Sequence, residues 1–207
     1  MEFRITEKIK LSAQVSLILV LNALPFNLTA QTSIDDERIT FVRLTAEQYR
    51  NSIRDIFGDS IEITGNAIAA GVREAGLMAV GGRRLTLSSS EVESYEVLAL
   101  DVASQVMSPS RRNTLIPCRP ENENVFDGDC AREFISTVGF HLFRRPLSEY
   151  EIGSYSAMAS KATESLGGFY IGLQAALVGM MVSPDFLFRI ERSVPSQETP
   201  GIRHLDD

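Results

Sequence analysis

Two cysteines are the residues in this sequence whose type and spacing most directly suggest chemistry. Cys118 and Cys130 flank the polar segment RPENENVFDGD, which has no periodicity and is predicted to be a loop. A structural zinc site would need two further ligands, and His141 and His204 are poorly spaced to supply them. Haem attachment would need a CxxCH motif, which the sequence lacks. In an exported chain the pair predicts a disulfide.

Four charged residues in two phrases are the next candidates. Arg54 and Asp55 lie in RLTAEQYRNSIRDIFG at 43–58, and Arg144 and Arg145 lie in FHLFRRPLSEYE at 140–151. Adjacent arginines could form an anion pocket. They also follow a predicted helix directly, where positive charge favours the helix dipole and caps carbonyl groups. We favour a structural role for all four residues and keep the anion site as the alternative.

Asp101 and His141 complete the candidates for acid and base chemistry. Asp101 lies in a predicted helix, and the sequence places no serine, cysteine or carboxylate to work with His141. The GGRR segment at 81–84 lacks the motif of a phosphate loop and predicts a turn. We therefore predict no catalytic, metal-binding or cofactor-binding residue in this segment. A hydrolase site that uses Asp101, His141 or the arginines is the alternative.

Helix signals recur along the chain. Three residue pairs have capping-box spacing, namely Thr45 with Gln48, Ser88 with Glu91, and Ser148 with Glu151. Apolar periodicity predicts helices at about 45–58, 88–107 and 129–144, another that begins at 148, and an apolar one at 169–182. No segment shows convincing strand alternation. The prediction is an all-α fold of five or six helices in two small packed modules, 31–116 and 117–193, with the cysteine loop near their junction.

The first thirty residues predict a signal peptide. Arg4, Lys8 and Lys10 precede an apolar stretch at 15–26, which is shorter than the roughly 20 residues that a spanning helix needs. This pattern predicts export to the periplasm or cell exterior without a transmembrane anchor. The net charge of -7 argues against nucleic acid or an anionic membrane as the main partner, because both attract positive charge.

The order of three phrases resembles a known group of proteins. RLTAEQYRNSIRDIFG, two cysteines before FRRPLS, and the closing LVGMMVSPDFLFRIER together resemble the N-terminal part of planctomycete-type secreted proteins of unknown function. These are large multidomain proteins that are often fused or linked to c-type cytochrome domains. The resemblance covers about 40–207, carries no catalytic residue over, and implies an N-terminal fragment with a linker at 194–207 before a larger helical domain.

Two functions follow from that resemblance as expectations. The first is an exported helical scaffold or interaction module whose partner is the downstream domain of the same protein. The alternative is a share in a periplasmic enzyme or redox assembly in which a partner c-type cytochrome handles the electrons. The apolar run at 169–182, followed by Phe186, Leu187 and Phe188, is expected to leave apolar surface exposed for the downstream domain to cover.

Export is directly testable. Residues 1–40 fused to a reporter that is active only outside the cytoplasm should give signal. Leu19→Arg should abolish it, because a charge interrupts the apolar core of the leader. A reporter that stays silent behind the native leader would refute the prediction.

Overall fold

Seven helices and three strands form the part of the chain that the computed structural model describes, which comprises residues 38–63, 87–196, 198–199 and 202–205. The helices are α1 (Ala46–Phe57), α2 (Ser89–Met107), α3 (Arg112–Leu115), α4 (Gly128–Phe143), α5 (Glu149–Leu166), α6 (Phe169–Met181) and α7 (Pro184–Leu187). The strands are β1 (Arg38–Arg43), β2 (Phe188–Pro195) and β3 (Arg203–Leu205). The predicted signal peptide at 1–30 and the predicted turn at 81–84 lie outside the described residues. None of the described helices is both long and apolar enough to span a bilayer.

Capping boxes start three helices where the sequence predicts them. At α1, the Thr45 side chain accepts a hydrogen bond from the Gln48 amide, and the Gln48 side chain accepts one from the Thr45 amide. The same pair of bonds starts α2 and α5. Gly58, with a φ of 85°, ends α1 by donating its N–H to the carbonyl of Arg54. The mainly helical prediction is confirmed, although two four-residue helices bring the number to seven.

A three-stranded antiparallel sheet contradicts the all-α prediction. The strand order is β1-β2-β3. Arg38 lies opposite Ser193, Arg43 lies opposite Phe188, and Ser193 in turn lies opposite Leu205. Of the predicted linker at 194–207, residues 194–195 lie in β2 and residues 203–205 form β3.

The sheet escaped prediction because its apolar residues do not alternate cleanly. Val42 is buried, whereas Ile39 and Phe41 are exposed, so both faces of β1 carry apolar side chains. A half-buried strand is recognised by polar and apolar residues on opposite faces, and that signal is missing here. The pairing also joins positions near opposite ends of the described chain.

One hydrophobic core lies around α6, which packs against α2, α4, α5 and α7. Its largest fully buried side chains include Tyr49, Ile53, Phe134, Ile135, Phe169, Leu173, Leu177, Met180, Met181 and Phe186. Contrary to expectation, the apolar run is mostly covered by the chain itself. Ile171 is the one large apolar residue of α6 that is exposed, and Phe186 and Leu187 are buried.

Helices α5 and α6 approach each other closely at Gly172. A Cβ atom there would lie 2.1 Å from the Thr163 hydroxyl oxygen and 2.5 Å from the Ala159 carbonyl oxygen. The backbone of α5 occupies the space that a side chain would need. A residue without Cβ is therefore required at this crossing.

Gly172→Ala should destabilise the fold by about 2–3 kcal/mol, because the new methyl group collides with backbone as well as side chain. Gly153→Ala is the matched control, since it lies in α5 with no atom within 4 Å of its added Cβ. That change should stabilise the helix by about 0.5–1 kcal/mol. Chemical denaturation of both variants measures the difference, and equal effects would contradict the close crossing.

Candidate functional site

The phrase FHLFRRPLSEYE and the closing phrase LVGMMVSPDFLFRIER meet in space at what we call the arginine corner, formed by Arg144, Arg145, Glu151 and Asp185. The first two residues lie between α4 and α5, Glu151 lies in the first turn of α5, and Asp185 lies in α7. Arg144 has left-handed backbone angles, with φ 59° and ψ 24°, and is the one non-glycine residue with positive φ among those described. This conformation ends α4 and reverses the chain.

Arg144 binds backbone rather than a carboxylate. Its Nη2 atom donates to the carbonyl oxygens of Asp185, Phe186 and Phe188 at 3.0, 3.1 and 2.9 Å. These carbonyls lie where the short helix α7 passes into β2, and a helix end leaves such groups without partners. The sequence predicted that Arg144 caps the helix preceding it. The side chain instead caps a helix that lies forty residues further along the chain.

Arg145 joins two carboxylates. Its guanidinium makes a bidentate contact with Glu151, at 2.6 Å and 3.0 Å, and an ion pair with Asp185 at 3.0 Å. It also lies 5.6 Å from the ring centroid of Phe143. Hydrogen bonding from Arg145 lowers the pKa of Glu151 to about 2, and the same contact raises the pKa of Arg145. Both partners are therefore charged at neutral pH.

Helix-start signals in the local sequence position the two acidic residues of the corner, Glu151 and Asp185. Glu151 is the third residue of the α5 capping box, so its carboxylate also accepts from the Ser148 amide at 2.7 Å. Ser183 accepts from the Asp185 amide at 3.2 Å, and Pro184 occupies the first position of α7. Sequence analysis missed Asp185. The Ser-Pro-Asp triplet is a helix-start signal that could have placed it.

Arg54 and Asp55 do not take part in this cluster. Both lie exposed on α1. Across the described residues, no hydrogen bond or ion pair joins either of them to the arginine corner. The structure therefore brings together Arg144 and Arg145 and separates them from the other predicted pair.

The disulfide between Cys118 and Cys130 is present, with an S–S distance of 2.04 Å, which confirms that prediction. The loop between the cysteines docks on the start of α6, where the Glu123 carbonyl accepts from the Phe169 amide at 2.7 Å. Arg112 pairs with the Glu123 carboxylate at 2.8 Å and stacks 4.0 Å from the Tyr170 ring centroid. The cysteine loop is thus a cap for α6.

Asp101 and His141 have structural surroundings. Asp101 accepts a hydrogen bond from the side-chain amide nitrogen of Gln105 at 3.1 Å. The same amide group of Gln105 accepts from the backbone N–H of Glu62 and donates to its carbonyl oxygen. His141 is exposed and packs edge-on against Phe140, with ring centroids 5.3 Å apart. Within the described ranges, no group of three or more metal-binding side chains converges.

The acid sensitivity of the corner is predictable from Glu151. Its folded pKa of about 2 lies below the ordinary value of 4.5, so its charge stabilises the fold above pH 4.5 and that contribution is lost as pH falls towards 2. Glu151→Gln keeps the capping-box geometry and removes the charge. It should lower the free energy of unfolding by about 1–2 kcal/mol near neutral pH, after allowance for solvent screening.

Denaturation curves of the native chain and Glu151→Gln should therefore converge as pH is lowered through this range. Glu149→Gln is the matched control, since Glu149 lies two residues away and is 81% exposed in its pair with Arg132. Its effect should stay below about 0.5 kcal/mol. A difference for Glu151→Gln that does not shrink with falling pH would contradict the charge-based account.

Comparison with known proteins gives a family match that contains all four residues of the arginine corner. Residues 130–191 match the family model described as PSD5: Protein of unknown function (DUF1595). Neither the curated proteins nor the solved structures gave a match. The chain contains a DUF1595 domain at residues 130–191, and the arginine corner lies inside it.

Proposed function

We propose that this chain is a non-catalytic helical scaffold or interaction module of an exported protein, the N-terminal part of a larger chain whose downstream domain it supports. The observation that carries the proposal is that the hydrogen bonds and ion pairs of the arginine corner are made within the chain. The arginines lie within the residues that match the family, and their hydrogen bonds go to acceptors of the same chain. The cluster holds α4, α5, α7 and β2 together.

An anion-binding role is less consistent with these contacts. A phosphate or carboxylate ligand would need arginine donors that point to open space. Arg145 already faces two carboxylates, so an incoming anion would have to displace Glu151 or Asp185 and would meet their negative charge. Arg144 donates to three carbonyls at once. The corner therefore favours stabilisation over recognition.

Two further observations support the location and the interaction role. A disulfide is typical of proteins that fold outside the reducing cytoplasm, which agrees with export. Beside the corner, a shallow groove is lined by Thr137, Phe140, His141, Pro146, Leu147 and Ile152. Its rim residue Phe140 is 47% exposed. Exposed apolar grooves are typical of surfaces that bind another polypeptide.

The redox alternative stays a prediction that comes from the resemblance. It assigns electron transfer to a partner c-type cytochrome rather than to residues of this chain. No observation on the described residues favours it over the scaffold proposal.

Replacing Arg145 distinguishes a structural role of the arginine corner from anion binding. Arg145→Ala should lower the free energy of unfolding by about 1 kcal/mol, because two charge-assisted contacts are lost. Arg132→Ala is the matched control, since Arg132 makes an exposed ion pair with Glu149 and should change stability by less than about 0.5 kcal/mol. Calorimetric titration with inorganic phosphate should show no saturable binding to the native chain. The proposal fails if the native chain binds phosphate and Arg145→Ala loses that binding without a change in melting temperature.

A further inference from the structure

The cysteine loop, residues 119–129, has few packing contacts of its own. No residue of this loop is buried, and Val125 is 57% exposed. Phe126 is partly buried against the hydrophobic core, with its ring centroid 6.4 Å from that of Phe169. A segment that buries little apolar surface gains little free energy from packing to offset the entropy lost on ordering. Other links must therefore keep the loop in place.

The same loop supplies the cap of the central helix α6. This helix follows Gly168, which has no side chain to accept a hydrogen bond from the first turn, and the Glu123 carbonyl accepts from the Phe169 amide instead. The Glu123 carboxylate also pairs with Arg112, which lies 4.0 Å from the ring centroid of Tyr170. Phe169 and Tyr170 are 0% and 7% exposed. Both are thus covered in part by groups that the loop holds in place.

The disulfide is the strongest of the links that hold the loop. It joins Cys118, which precedes the loop, to Cys130 in the first turn of α4. The contacts of the loop near the start of α6 are one backbone hydrogen bond, one aromatic contact and an ion pair in which the Glu123 side chain is 55% exposed. Exposed ion pairs contribute little to stability, whereas a covalent cross-link restricts the loop directly. Breaking the S–S bond is therefore expected to release the loop from α6.

Thiol–disulfide exchange with a dithiol can break this bond from one side. Cys118 is half-buried, whereas Cys130 is 4% exposed, so an attacking thiolate reaches the Sγ atom of Cys118 more readily. The thiolate forms a mixed disulfide with Cys118, and the electron pair of the broken S–S bond leaves on Cys130, which takes up a proton. The second thiol of the dithiol then displaces Cys118 in the same way. The dithiol is oxidised to a disulfide, and the chain gains two thiols.

We propose that Cys118 and Cys130 form a redox-sensitive switch, in which reduction by a dithiol releases the cysteine loop and uncovers the first turn of α6. In the oxidised state the loop caps Phe169. In the reduced state the Phe169 amide loses its acceptor, and the side chains of Phe169 and Tyr170 become accessible. The rest of the core stays folded, because α6 also packs against α2, α4, α5 and α7. The switch goes beyond the scaffold proposal and does not rely on the arginine corner.

Amide hydrogen exchange on the full chain tests the switch, because the Phe169 amide reports on its bond to the Glu123 carbonyl. The oxidised chain is compared with the chain reduced by dithiothreitol at the same pH. In the reduced chain, the Phe169 amide should exchange within about tenfold of the rate of an unfolded chain, whereas the amides of Ile135 and Val138 in α4 should stay protected about a thousandfold or more. Reoxidation should restore slow exchange at Phe169.

Two variants separate the disulfide from the other links. Cys118→Ser combined with Cys130→Ser should reproduce the exchange of the reduced chain without a reductant. Glu123→Gln in the oxidised chain is the matched control, since it removes the ion pair with Arg112 and keeps both the backbone carbonyl and the disulfide. Its protection at Phe169 should change by less than about threefold.

Three results would overturn the proposal. The first is a Phe169 amide that stays protected in the reduced chain. The second is loss of protection at Ile135 and Val138 together with Phe169, or a double serine variant that does not fold, because the disulfide would then stabilise the whole fold rather than switch one loop. The third is a Glu123→Gln chain that exchanges like the reduced chain, which would assign the docking of the loop to the ion pair.

Discussion

The contact of two adjacent arginines with the segment from Ser183 to Phe188 is the constraint on which the rest of the structure depends. Arg144 holds the carbonyls where α7 passes into β2, and Arg145 holds the side chain of Asp185. These bonds fix the point at which the chain leaves the helical core. Strand β2 starts there and pairs with β1, and the Leu44 amide donates to the Leu187 carbonyl at 2.9 Å. The corner therefore positions the N-terminal strand as well as the C-terminal one.

The backbone at Arg144 shows why an arginine is present where helices often end in glycine. The left-handed conformation costs a side-chain-bearing residue about 1 kcal/mol, and glycine would avoid that cost. Glycine would also leave three carbonyls without their donor. The two N–H groups of Nη2 are shared among the three carbonyls, and a charge-assisted bond contributes about 1.5–3 kcal/mol in favourable cases and less near solvent, so these contacts together outweigh the conformational strain. The residue is thus explained by its long-range contacts rather than by its own helix.

Local signals in the sequence predicted those features that depend on residues close to each other in the chain. The capping boxes at Thr45, Ser88 and Ser148 placed helix starts, and the presence of two cysteines in a chain expected to be exported predicted the disulfide. Local signals could not reveal the sheet or the Arg145–Asp185 ion pair. The two paired strands, and the two paired side chains, are distant in sequence, and neither pairing leaves a periodic pattern of residues. The expected exposure of α6 was wrong for a related reason. Helices α2, α4, α5 and α7 surround it, and a residue pattern does not show how many neighbours a helix has.

Paired charges occur both at the corner and in the sheet that starts from it. At the corner, positive and negative side chains meet within the chain, so their charges are largely neutralised where they lie. In the sheet, Arg43 of β1 likewise pairs with Glu91 of α2 at 2.9 Å, and Arg189 pairs with Glu191 within β2. Because the corner sets where β2 begins, it also fixes the register that places Phe41 opposite Ile190. A one-residue shift of that register would turn the apolar side chains to the other face. Under the scaffold proposal, the corner thus acts at a distance from its own contacts, by fixing which side chains of β1 and β2 share a face.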